Sequence, residues 1–226
     1  MTENEVKPIQ TIAILGGTGK EGKGLAYRWA RAGYTILIGS RQAEKAQVAA
    51  ADVLALLPEG KISGISNADA ASQADLVVLT VPFSVHKEML SAMKSYLIGK
   101  ILIDVTVPIV PPKVTKVQMP PAGSAAQEAR EILGEQTEVV AAFQNISYEK
   151  LIEDEEIECD VLVCGSSKAA RTRVLELVRA AGMVGWDAGP IENSVVVEGM
   201  TSILLGINRQ FGVQSAGIRI TGVPRS

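Results

Sequence analysis

Aromatic side chains are scarce in this chain of 226 residues: two Trp, four Tyr and three Phe, 4% of the total. A core must therefore come from Ile, Val, Leu and Ala, which suits a parallel sheet whose buried strands read as continuous aliphatic runs. Histidine occurs once, as His86. A single imidazole without a located partner is weak acid–base machinery, and its place early in a helix predicts a solvated side chain. No metal site is expected. Cysteine occurs twice, and Cys159 and Cys164 match neither a CxxC redox pair nor a zinc spacing, so both are expected as small core residues. A net charge of −3 gives no reason to expect nucleic acid or an anionic membrane as partner. No apolar run approaches the roughly 20 residues that span a bilayer. The start, Met1-Thr2-Glu3-Asn4-Glu5, lacks the order of a signal peptide, and a cytoplasmic location is the expectation.

What is present is an alternation. Thr11 to Leu15 is an apolar run stopped by glycine, followed by Gly16-Gly17-Thr18-Gly19 and a helical pattern with Leu25, Ala26, Trp29 and Ala30 on one face. Arg28 and Arg31 fall outside that face, and Gly33 closes the helix. Tyr34 to Ile38 reads as a second strand, Gln42 to Leu57 as a helix, Lys61 to Ile65 as a third strand and Leu76 to Val81 as a buried one. Ser84 can cap a helix from Val85 to Tyr96, which Gly99 ends before a strand at Ile101 to Val105. Five prolines between Val107 and Gly123 predict a long loop over the cofactor edge. Beyond it lie a helix at Ser124 to Leu133, strands at Val139 to Phe143, Val161 to Cys164 and Met183 to Trp186, and helices at Lys168 to Ala181 and Asn193 to Gln210. The pattern predicts an α/β, Rossmann-type doubly wound, mostly parallel sheet with a small C-terminal helical region. The expected division is a nucleotide-binding domain over residues 1–188 and a packing or dimerisation segment over 189–226.

The first glycine cluster carries the chemistry. Gly17-Thr18-Gly19-Lys20-Glu21-Gly22 matches GxGxxG between a strand and a helix, the context in which glycines let the backbone approach a pyrophosphate at a helix N-terminus. The same stretch is one residue from a phosphate loop of nucleotide triphosphatases, but Gly24 stands where that loop needs a magnesium-binding hydroxyl. An NAD site places Asp or Glu about 20 residues past the glycines. Here the second strand leads into Ser40 and Arg41, with Lys45 one turn on, which suits the extra 2′-phosphate of NADP.

These motifs are similar to those of the coenzyme F420-dependent NADP oxidoreductases. The resemblance rests on Ile14 to Gly19, Gly22 to Ala26, Gly39-Ser40-Arg41 with Glu44-Lys45-Ala46, Ala74 to Pro82, and Asp187 to Pro190 with Asn193-Ser194. It implies direct hydride transfer between nicotinamide C4 and deazaflavin C5, with NADP(H) and coenzyme F420 as cofactor and co-substrate, in a homodimer. Residue by residue it implies that Gly17 to Gly22, Ser40, Arg41 and Lys45 hold the nucleotide, that Thr80, Val81, Pro82 and Phe83 line the nicotinamide side, and that Ala142 adjoins the cofactor. Gln144, Asn145 and Ile146 would then face the deazaflavin. Two positions depart from the family: members carry histidine in place of Gln144 and arginine in place of Val195. Those departures keep open an NADPH reductase of an imine, ketone or flavin, and a non-catalytic NADP sensor that uses the same loop is a further alternative. Tyr96 and Lys100 have the spacing of the short-chain dehydrogenase pair, but Gly99 interrupts them and they precede a strand, away from the cofactor edge. No catalytic acid or base is assigned, since hydride transfer between flat rings requires positioning. The apolar stretches Val195 to Val197 and Ile203 to Leu205 suggest a dimer surface.

Overall fold

A computed structural model describes residues 8–153 and 155–224; Met1 to Glu5, read above for targeting, lie outside them. One sheet contains β1 (Thr11–Leu15), β2 (Thr35–Ser40), β3 (Ile62–Ser66), β4 (Leu76–Leu79), β5 (Ile101–Asp104), β6 (Glu138–Ala141), β7 (Val161–Gly165) and β8 (Gly185–Pro190). Their order is β3-β2-β1-β4-β5-β6-β7-β8. All neighbours run parallel except β6 and β7. The helices are α1 (Lys20–Arg31), α2 (Ala43–Leu56), α3 (Asn67–Gln73), α4 (Phe83–Met93), α5 (Ala125–Leu133), α6 (Tyr148–Leu151), α7 (Lys168–Ala180) and α8 (Ser194–Phe211).

The doubly wound sheet follows from the side-chain alternation of β-strands. Ile12 and Ile14 of β1 pack with Leu25 and Trp29 of α1 and Leu177 of α7 on one face. Ala13 and Leu15 point the other way, toward Ala70 of α3, Leu90 of α4 and Ala126 of α5. Each fully buried Leu or Ile of these layers contributes about 1.5–3 kcal/mol. Trp29 also sets its ring edge-on to Phe143 at 5.5 Å, and its indole N–H donates to the Leu177 carbonyl at 2.9 Å.

The expected order of elements holds, with shifts at the ends. The last strand runs over Gly185–Pro190 in place of Met183 to Trp186. The strand expected through Phe143 stops at Ala141, because Phe143 adopts a left-handed backbone with φ 73°. Ser84 caps nothing: α4 begins at Phe83 after Pro82, whose fixed φ of −58° starts the helix. The short helices α3 and α6 have no counterpart in the sequence reading, since seven and four residues are too few to display a period.

One burial was not foreseen and one expectation is overturned. Arg28, outside the apolar face of α1, is buried. Its guanidinium donates to the carbonyls of Leu151, Lys150 and Glu153 at 2.7, 2.9 and 2.5 Å, satisfying acceptors that α6 leaves open at its C-terminal end. His86 is fully buried as well, because the carboxylate of Asp104, itself without solvent exposure, needs a partner. The two meet at 2.7 Å, and the other imidazole nitrogen lies 3.0 Å from Glu128. Cys159 and Cys164 are free and buried, as expected.

Candidate functional site

Parallel pairing brings the carboxyl ends of β1, β2, β4, β5 and β6 to one edge of the sheet. Winding reverses between β1 and β4, and the crevice at such a switch point is where open α/β sheets take ligands. The ends are tied together locally. Thr80 donates to the Leu15 carbonyl through both its amide and its hydroxyl, at 3.0 and 3.2 Å. The Thr106 hydroxyl donates to the Val81 carbonyl at 3.4 Å.

The glycine loop turns directly beyond β1. The Gly17 amide donates to the carbonyls of Ile14 and Gly39, both at 3.2 Å, and the Gly16 amide to the Asn67 side chain at 3.3 Å. A Cβ on Gly22 would lie 2.5 Å from the Gly17 Cα, so the loop and the first turn of α1 can touch only through glycine. Gly24, the position that excluded a triphosphatase, serves packing: a Cβ there would meet that of Leu151 at 2.5 Å. Gly19 occupies the N-cap of α1 without a capping side chain, so the first-turn amides are open to an external acceptor. Lys20, Glu21 and Gly22 stand in that turn, and Thr18 is half-buried beside it.

At the end of β2 the Ser40 hydroxyl accepts from the Gln42 amide at 3.2 Å. Arg41 and Lys45 are exposed on either side of the start of α2, and Lys45 shares a surface depression with Thr18. This places a hydroxyl and two cations at the edge of the crevice farthest from β6.

Two adjoining cavities occupy the other side, of about 400 and 290 Å³. The first is walled by Thr80, Val81, Pro82 and Phe83 together with Thr106 and Pro111. The second is walled by Phe143, Gln144, Asn145 and Ile146, by Tyr148 of α6 and by Thr201 and Leu204 of α8. Glu21, Val105, Val107 and Ile109 belong to both walls. The proline-rich segment thus does lie over this edge, and it continues onto α8, where Met119 and Val117 close on Gly199. Ala142 is fully buried and lines neither cavity.

The polar atoms of the second cavity are set by β5 and α8. The Gln144 amide nitrogen donates to the Asp104 carbonyl at 2.7 Å, and the Asn145 amide nitrogen to the Val197 carbonyl at 3.0 Å. Both side chains are thereby oriented, and each leaves a buried oxygen, Gln144 Oε1 and Asn145 Oδ1, without a protein partner. Unpaired buried acceptors are costly, and a ligand with ring or carboxamide N–H groups would satisfy them. The left-handed turn at Phe143 presents these two residues to the cavity, and burial of its ring offsets a backbone cost of roughly 1–2 kcal/mol. Val195 is exposed at the start of α8, in neither wall.

Behind the cavities lies a buried charge network that the sequence did not suggest. Burial alone would lower the His86 pKa, but the charge and hydrogen bond of Asp104, then Glu128, raise it to about 9. Glu198 of α8 accepts from the amides of Ala125 and Ala126 at 2.7 and 3.1 Å, capping α5. Burial raises its carboxyl to about 8, against those two amides, which favour the carboxylate. Asn67, Glu198 and Thr201 were missed because an isolated polar residue in a short or aliphatic helix carries no motif. Lys100 donates to the Ala74 carbonyl at the end of α3, in keeping with rejection of the Tyr96–Lys100 pair.

A glycine-bounded helix N-terminus at the switch point, beside a mostly apolar double cavity, defines a dinucleotide-binding oxidoreductase fold. The family model for coenzyme F420-dependent NADP oxidoreductases matches residues 11–108. The F420-dependent NADP reductase of Methanothermobacter thermautotrophicus is 41% identical over 224 residues, covering 96% of this chain and 97% of that protein. That of Methanocaldococcus jannaschii is 38% identical over 221 residues, covering 94% and 98%. A solved structure of an Arthrobacter protein, provisionally described as an F420-dependent NADP reductase, superposes with a TM-score of 0.78 at 23% identity, covering 95% of this chain and 100% of that one. The chain belongs to the F420-dependent NADP reductase family.

Proposed function

We propose that the protein transfers a hydride directly between NADP(H) and the deazaflavin coenzyme F420. The observation that carries this reading is the pair of adjoining cavities at the switch point, both lined by Glu21 of the first turn of α1 and one furnished with two unpaired acceptors. In this reading the open amides at the N-terminus of α1 take the pyrophosphate, aided by the helix dipole. Gly17 to Gly22 shape that contact, and Ser40, Arg41 and Lys45 take the 2′-phosphate. Thr80 to Phe83 bound the nicotinamide, and Gln144, Asn145 and Ile146 bound the deazaflavin. Ala142 supports the turn from beneath. The protein's contribution is then to set two flat rings in contact and to keep water out, both functions of a largely aliphatic wall.

The exposed apolar stripe of α8, Val196, Ile203, Ile207 and Phe211, supports a homodimer built on the segment after residue 188, with residues 1–188 as the nucleotide-binding unit. Among the described residues no helix is long and apolar enough to cross a membrane, which supports a cytoplasmic assignment. Mixing the protein with oxidised F420 and saturating NADPH in a stopped-flow spectrometer tests the activity. Bleaching of the deazaflavin band is expected, and its absence would overturn the reading.

A further inference from the structure

Glu21 belongs to the stretch that shapes the pyrophosphate contact, but the binding reading gives its side chain no task. It sits in the first turn of α1 and lines both cavities. One carboxyl oxygen is shielded from solvent and has no hydrogen-bond partner. Among the described residues, Glu21 and the Tyr148 phenol are the only titratable side chains in either wall. The two lysines closest to it along α1 are engaged elsewhere: Lys20 lies over the Tyr148 ring at 4.8 Å, and Lys23 pairs with Asp52 at 3.0 Å.

A second fact is stoichiometric. NADPH and an oxidised deazaflavin become NADP+ and a reduced deazaflavin only if one proton is taken up with the hydride. We propose that the Glu21 carboxyl carries that proton, an inference that rests on the reading of the cleft as an NADP–deazaflavin site. As the nicotinamide C4–H bond breaks, a C5–H bond forms and an electron pair moves through the deazaflavin to a ring nitrogen. There an N–H bond forms as the Glu21 O–H bond breaks. The nicotinamide loses two electrons, the deazaflavin gains two, and Glu21 is left as a carboxylate close to the newly cationic nicotinamide. Water reprotonates it once the products leave, and the reverse reaction runs the same steps backward.

The electrostatics suit this role. Burial, with no compensating charge, raises the Glu21 pKa to about 8, so the group is protonated and able to donate at neutral pH. Oxidation of the nicotinamide beside it then favours the ionised form, which couples proton release to hydride loss.

The test compares the full-length protein with Glu21→Gln and Glu21→Met, whose folding is checked by circular dichroism. Wild type is expected to transfer hydride at a rate constant that falls about tenfold per pH unit above pH 8. Both variants should lose that limb and about 10²-fold in rate. An indicator dye at pH 7 should report proton release when wild type binds NADP+, little when it binds NADPH, and none with either variant. Bleaching by wild type together with an unchanged pH profile and unchanged proton release in the variants would overturn the Glu21 assignment alone. No bleaching by wild type would remove the deazaflavin reading and this inference with it.

Discussion

The two sides of the cleft are built differently. The side proposed for the nucleotide is made from contiguous strings, Gly16 to Gly22 beyond β1 and Ser40-Arg41 at the end of β2. The side proposed for the acceptor is made from side chains held by distant partners. Gln144 is held by Asp104, Asn145 by Val197 and Thr201, and α5 by Glu198. A phosphate can be recognised by any correctly turned backbone, so its site travels as a motif. A flat ring needs shaped walls and oriented amides, which only the assembled tertiary structure supplies. The family model covers residues 11–108, which include the glycine loop and Ser40-Arg41 but not Gln144, Asn145 or α8.

That contrast predicts unequal sensitivity. Gly22→Val should have the largest effect, since its Cβ would lie 2.5 Å from the Gly17 backbone. Loss of both NADP binding and about 1–3 kcal/mol of stability is expected, read by calorimetry and thermal melts. Arg41→Ala should weaken NADP binding by roughly 10–100-fold, the scale of a charge-assisted hydrogen bond, and leave NAD binding almost untouched. Equal loss for both nucleotides would remove Arg41 from the 2′-phosphate site.

On the acceptor side, Asn145→Leu should raise the deazaflavin KM by about tenfold with little change in NADP affinity, because it removes one oriented acceptor. A change in NADP affinity alone would mean that the two cavities had been assigned the wrong way round. The smallest effect concerns pH. His86 binds its proton more tightly folded than unfolded, so its contribution to stability is full below about pH 6.5 and is lost as pH rises through about 9. Denaturant titrations of wild type should show stability falling across that window, and His86→Gln should flatten the slope.

The same contrast explains what the sequence disclosed. The order of strands, the phosphate loop and the cations after β2 were legible because local spacing encodes them. His86 was misread because its partners, Asp104 and Glu128, lie 18 and 42 residues away and no helical period reports them. The burial of Arg28 went unforeseen for the same reason, since its acceptors lie in and just after α6, a helix too short to anticipate. Gln144 and Asn145 came from family resemblance; their unpaired oxygens became visible only once Asp104 and α8 were in place.

The central claim is that the two cavities hold their rings in direct contact. Single turnover with NADPH carrying deuterium in both C4 positions tests it most directly. The account predicts one deuterium at C5 of the reduced F420 and a slowed transfer step. Deuterium lost to water, or F420 left oxidised while NADPH is consumed, would contradict it.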